Sequence, residues 1–284
     1  MHNNFQKEAT QSDKNFGYSD LAAERRQVSP NAEGIDYKKR TTSAGCWEEI
    51  NVYSESAAKM IGRPTGSYDT LTINRMDTLS EDEIADAADE VARKLCEICT
   101  KKKIYPERIL AVGLGNRKLT PDSVGTKTAE EIKPTKHIKD FDENMFSALD
   151  CSEISVLSPG VSATSGMESA EIIKAVSDKI LPDVIITIDS IVSRSVERLG
   201  TTVQISDTGI YPGSGVGNTK KGINQSSMGA PVIAIGVPTV IDSRIFSSDD
   251  KKEERMLVTP QEIDEITSTA AKIIGMAINQ AFGR

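Results

Sequence analysis

Apolar residues along the chain follow two patterns, and each predicts a different element. The first is a short continuous run that stops at glycine or at a polar turn. Ile109-Leu110-Ala111-Val112-Gly113-Leu114, Glu153-Ile154-Ser155-Val156-Leu157, Val184-Ile185-Ile186-Thr187-Ile188, Val203-Gln204-Ile205 and Pro231-Val232-Ile233-Ala234-Ile235-Gly236-Val237 are of this kind. Such runs read as strands covered on both faces. The second pattern is helical. Ser80 and Glu83 have the spacing at which each side chain satisfies the other's unpaired backbone N–H. Ile84, Ala87, Ala88, Val91, Leu95 and Ile98 follow as one buried stripe. Residues 166–181 and 259–281 read as further helices, with Pro260 near the first turn of the last. Residues 41–75 mix strand-like pieces with turns such as Arg63-Pro64-Thr65-Gly66. Strands alternating with helices predict an α/β fold: a mostly parallel central sheet with helices on both faces.

The 284 residues suffice for one large domain or two small ones. The polar stretch 1–20 reads as an unpacked leader, and residues 21–284 as a single α/β domain. The net charge of −8 argues against broad binding to a nucleic-acid backbone, though it leaves a basic protein open as substrate. No apolar run approaches the roughly 20 residues that span a bilayer. The first twenty residues also lack the apolar segment of a secretory signal, so a cytoplasmic location is expected. The four cysteines, Cys46, Cys96, Cys99 and Cys151, are too sparse for a disulfide framework. Cys96 and Cys99 read as structural thiols, since one CxxC within a helix is no zinc site. The two histidines are His2 and His137, and a Ser-His-Asp or Cys-His site would rest on His137 alone.

In open α/β sheets, sites form at the carboxyl ends of strands. Three polar, glycine-rich segments fall there: 113–122, Asp189-Ser190, and 207–218. Neither glycine loop fits a nucleotide. Lys118 stands where a dinucleotide fingerprint needs its third glycine, and Ile223 where a phosphate loop needs lysine. Tight turns account for the glycines equally well, but their density in 209–217 favours a loop whose amides face a ligand or substrate. Two carboxylates stand out. Asp189 follows five apolar residues and is expected to emerge at a strand end inside a crevice, where a carboxylate is costly unless bonded, paired or functional. Asp122 follows the glycine turn after the preceding strand; the alternative for it is a turn cap after Pro121. Two carboxylates brought together do not both ionise easily, so one can act as base on a water while the other polarises a carbonyl.

At these loops the sequence resembles the germination proteases of spore-forming bacteria. The stretches VGLGNRKLTPDSVG (112–125), SPGV (158–161), IDSIVSRSVERLGTTVQISDTGIYPGSGVGN (188–218), GAPVIAIGVPTVID (229–242) and MLVTPQEID (256–264) carry the resemblance. It implies an atypical aspartic endopeptidase with a fold similar to hydrogenase-maturation peptidases. It also implies a tetramer that degrades small acid-soluble spore proteins in the spore core, without a cofactor or a metal. The family's two essential aspartates fall on Asp122 and Asp189, and Asp207, Gly213 and Gly215 become candidates to support a substrate loop. The resemblance further implies a zymogen that cuts itself at an acidic residue followed by a hydrophobic one. Tyr18-Ser19-Asp20-Leu21-Ala22-Ala23-Glu24 places that cut between Asp20 and Leu21, with mild acid expected to promote it. Tyr211 departs from the pattern, at a position often histidine in the family.

Three other readings compete. A hydrogenase-maturation type of peptidase would need a histidine in its metal site, and His137 is the candidate. A non-enzymatic protein that binds spore proteins would tolerate alanine at Asp122 and Asp189. A nucleotide-binding enzyme is disfavoured by the two failed phosphate motifs.

Overall fold

The computed structural model describes residues 19–28, 33–212, 221–243 and 256–283. Its strands are β1 (Ile35–Thr41), β2 (Cys46–Val52), β3 (Gly66–Thr72), β4 (Arg108–Gly113), β5 (Glu153–Leu157), β6 (Val184–Ser193), β7 (Thr202–Ser206), β8 (Val232–Asp242) and β9 (Leu257–Val258). They form one sheet in the order β1-β2-β3-β7-β8-β6-β4-β5, with β9 added beside β8. The pairs β5–β4, β4–β6 and β6–β8 are parallel. The remaining pairs are antiparallel. The α/β architecture with helices on both faces holds, and the sheet is mixed. Its parallel strands are written as apolar runs, and so is β7, which is antiparallel to both its neighbours. The antiparallel strands β2 (CWEEINV) and β3 (GSYDTLT) mix polar and apolar residues on both faces, with Trp47 and Leu71 packed on one side and Ile50, Val52 and Tyr68 on the other.

The principal helices are α1 (Ala22–Val28), α2 (Glu55–Ile61), α3 (Glu81–Lys102), α4 (Val124–Glu131), α5 (Lys136–Phe141), α6 (Glu143–Ala148), α7 (Ser169–Ile180) and α8 (Ile263–Phe282). Ser80 and Glu83 close the expected reciprocal cap at the start of α3. The predicted stripe from Ile84 to Ile98 is buried throughout. It packs with α8 and Val124 over Trp47, Leu71, Ile109, Ile186 and Ile235 on one face of the sheet. Burying each of the larger side chains contributes about 1.5–3 kcal/mol. Helix α8 begins at Ile263, so Pro260 lies in the turn before the helix rather than in its first turn.

The other face is covered in two separate patches. Ala170 and Ile173 of α7 pack on Leu110, Val112, Ile185 and Val232 over the parallel half. Ala22 and Ala23 of α1, with Ala57, Ala58 and Ile61 of α2, pack on Ile50, Val52 and Tyr68 over the antiparallel half. Between the patches the sheet lies open as the floor of a cavity.

Candidate active site

The cavity has a volume of about 500 Å³. Its floor follows from strand register. Asp189 of β6 pairs with Gly236 of β8, and Gly236 pairs with Gln204 of β7. One row of three strands therefore presents Asp189 and Gln204 on either side of a glycine. Asp189 is not at a strand end, as the sequence suggested. Strand β6 runs on to Ser193 because β8 continues to pair with it, up to Ser193 opposite Ile241. The crevice arises instead because β4 stops at Gly113, opposite Ile188, one position short of Asp189. Asp189 is buried, and its Oδ1 accepts the Ser190 N–H at 2.9 Å.

Asp122 closes a short turn, Thr120–Asp122, between β4 and α4, and it lines the same cavity as Asp189. The turn is fixed from several directions. The Asn116 N–H donates to both the Asp122 carbonyl, at 2.9 Å, and its Oδ2, at 3.0 Å. Thr239 Oγ1 on β8 donates to the Pro121 carbonyl at 2.7 Å. The Leu114 N–H donates to the Ile188 carbonyl at 2.8 Å and ties the loop to β6. Gly115 has φ +97°, and a Cβ there would meet the Asp122 carbonyl oxygen at 2.1 Å. A Cβ on Gly125 would lie 2.3 Å from the Ile188 carbonyl oxygen. These glycines thus have structural work: they let the Asp122 turn and α4 descend onto the backbone of β6 beyond the end of β4.

Asp20 lies in this cavity too. Its N–H donates to the Val192 carbonyl at 2.9 Å, and the Val192 N–H returns a bond to Asp20 Oδ2 at 3.0 Å. Arg63 Nη2 lies 3.3 Å from Asp20 Oδ1 and donates to the Ser19 carbonyl at 3.1 Å. Gln204 spans the peptide beyond: its Nε2 donates to the Asp20 carbonyl at 3.3 Å, and its Oε1 accepts from the Ala22 N–H at 2.8 Å. Leu21 is fully buried. Glu24, buried behind the segment, accepts from Ser19 Oγ, Ser193 Oγ and the N–H groups of Arg194 and Ser195.

The structure therefore brings Asp20, Asp122 and Asp189 together. Asp207 is not among the residues lining the cavity. It braces the rim, where Oδ1 accepts the Ser67 N–H at 2.8 Å and Oδ2 meets Lys102 Nζ at 2.9 Å. Gly213 and Gly215 lie outside the described residues. Tyr211 is on the rim. Tyr68, whose hydroxyl donates to the Pro64 carbonyl at 2.8 Å, has its phenol pushed up by burial and stays protonated. Arg63, Gln204 and the Val192 backbone were not anticipated. The signal for Arg63 was a surface-like Arg-Pro-Thr-Gly turn, and only the distant pairing of β3 with β7 carries it to the site.

His137 stands exposed on α5 and is not among the lining residues, so the histidine that a hydrogenase-maturation metal site would need is not supplied by it. No group of three metal-ligating side chains occurs among the described residues. Cys99 is buried, and burial raises its thiol to about 11, as suits a structural thiol. Among the described residues, no helix is long and apolar enough to cross a membrane.

Comparison with known proteins bears on this site. The chain is 34% identical over 306 residues to the germination protease of Caldanaerobacter subterraneus subsp. tengcongensis, covering 93% of each. It is 34% identical over 310 residues to that of Clostridium tetani, covering 93% of this chain and 94% of the relative. It is 38% identical over 234 residues to that of Bacillus cytotoxicus, covering 81% of this chain and 62% of the relative. Among solved structures, a nickel–iron hydrogenase maturation protease, HycI of Thermococcus kodakarensis, superposes with a TM-score of 0.36 at 16% identity. It covers 66% of this chain and 99% of that one, and a likeness this loose carries no argument. Residues 15–252 match the family described as germination protease, and with the relatives this shows that the chain belongs to the germination protease family.

Proposed function

We propose that this peptidase is of the aspartic type, with Asp122 and Asp189 as its catalytic pair. We propose further that it is made as a zymogen whose residues 1–20 leave by cleavage between Asp20 and Leu21. The observation that supports this best is that Asp20 lies in the cavity lined by both aspartates. In this reading one carboxylate takes a proton from the attacking water. The other, protonated, donates to the oxygen of the scissile carbonyl, and collapse of the intermediate delivers a proton to the leaving amine. The coupled pair acts as a unit, and neither role is assigned to one residue alone. The substrates are small acid-soluble spore proteins, met in the spore core during germination, and the working form is a tetramer. Residues 21–284 form the catalytic unit, and Asp207 supports the loop that meets the substrate. The test is to add a small acid-soluble spore protein to the full chain after incubation to constant mass. Wild type yields fragments cut after acidic residues, whereas Asp122→Asn and Asp189→Asn leave the substrate whole. Fragments from either variant at the wild-type rate would refute the assignment.

A further inference from the structure

We infer that Arg63, together with the Val192 N–H, forms the subsite that reads an acidic side chain on the residue preceding the cut. The inference rests on the peptidase reading above and names what selects its substrate. Arg63 is the one cation among the described residues that line the cavity, which it shares with the carboxylates Asp122 and Asp189. An acidic side chain entering there is repelled near those aspartates and attracted near Arg63.

The chain's own Asp20 displays the binding mode. One carboxylate oxygen meets Arg63 Nη2 at 3.3 Å and the other accepts the Val192 N–H at 3.0 Å. The backbone of Asp20 pairs with the Val192 carbonyl and the Gln204 amide. Every one of these contacts is made to a main-chain group or to the carboxylate. Any acidic residue in an extended substrate can repeat them.

Two observations favour a subsite over a mere tether. Among the described residues, Asp20 is the carboxylate that pairs with Arg63. With Ser19 and Asp20 in place the Arg63 side chain is only 15% exposed, so departure of the leader removes the anion and the carbonyl that Arg63 meets there and leaves a cation open to another acidic group. Moreover Arg63 Nε is buried with no hydrogen-bond partner. Nε and Nη2 form one edge of the guanidinium fork, and Asp20 uses half of it. A carboxylate seated on both arms gains the stronger, two-bond geometry.

The experiment uses the full chain, incubated until its mass is constant, and two peptides identical except for glutamate or glutamine before the cut. The readout is the ratio of kcat/KM for the two peptides within one variant, which does not depend on how much of that variant is folded. Wild type is expected to prefer the glutamate peptide by about 10- to 100-fold, and Arg63→Met to bring the ratio near one. Should Arg63→Met cut neither peptide, Arg63→Lys carries the comparison: it keeps the charge, loses the fork, and lowers the ratio several-fold. A wild-type ratio in the substituted chain overturns the inference and leaves Arg63 a tether, with the peptidase reading intact. A wild type that cuts neither peptide overturns that reading, and this inference with it.

Discussion

Lys94 is a cation held almost wholly inside the protein, and its surroundings explain why the fold tolerates it. Its side chain is 2% exposed and meets Glu49 at 2.6 Å, Glu97 at 2.9 Å and Asp69 at 3.5 Å. Its ammonium also lies 5.1 Å from the centre of the Trp47 ring. Burial opposes the charge, but the Glu49 bond and the neighbouring carboxylates outweigh it and raise the lysine above its ordinary value. Asp69 bears the cost. Burial raises its carboxyl to about 6, against the pull of Lys94. A folded-state value above the unfolded 3.8 means that the native protein holds this proton more tightly. The stability it contributes is present in full below about pH 4 and is lost as pH rises through about 6. Asp69→Asn does not titrate. The unfolding free energy of wild type minus that of Asp69→Asn is therefore expected to fall between pH 4 and 6 and to level off above it. Urea melts across that range check this, and a difference independent of pH would contradict it. At this scale the position of Asp122 and Asp189 in a crevice was legible, because each follows an apolar run or a glycine turn. Arg63 and Gln204 were not, because nothing local marks a residue whose partners lie more than forty or a hundred and eighty positions away in the chain.

At the scale of elements, the site depends on how closely α4 approaches the end of β4 and the middle of β6. A Cβ on Gly113 would meet the Gly125 carbonyl oxygen at 2.1 Å, and one on Gly125 would meet those of Ile188 and Leu114 at 2.3 and 2.4 Å. These neighbours are backbone and cannot swing aside. Gly125→Ala is expected to push α4, and the Asp122 turn before it, away from Asp189. Overpacking of this kind costs about 1–3 kcal/mol of stability. A displacement on the order of 1 Å at reacting groups costs about 100-fold in rate. Parallel measurement of the unfolding midpoint and of kcat/KM tests this, and wild-type activity in Gly125→Ala would contradict it. The elements were legible where burial writes a simple pattern. The parallel strands are covered on both faces and read as apolar runs, whereas helix α3 buries one stripe and exposes the other face, which gives a clear helical period. Helix α2 spans only Glu55–Ile61 between two strands and ends at Gly62 with φ +64°, so seven residues leave little period to detect. Strand β1 is an edge whose side chains are largely exposed, among them Lys38, Lys39 and Arg40, and it carries no core signal. The length of β6 was missed because its continuation, Ser190–Ser193, is held by pairing with β8 rather than by a pattern of its own.

At the scale of the whole molecule, Asp20 and the residues after it are built into the wall of the cavity. Leu21 is fully buried, and the Asp20 carbonyl is engaged by Gln204 on the cavity floor. A peptide bond held so closely against its own chain is expected to react there rather than in another molecule's cavity. Self-cleavage is therefore expected to proceed at a rate independent of protein concentration. The measurement that tests the account most directly is intact mass over time at mildly acidic pH. It compares wild type at two concentrations tenfold apart with Asp122→Asn and Asp189→Asn. The account predicts that wild type loses residues 1–20 equally fast at both concentrations, while both variants keep their full mass. Variants shortened as fast as wild type would contradict it and remove Asp122 and Asp189 from the chemistry.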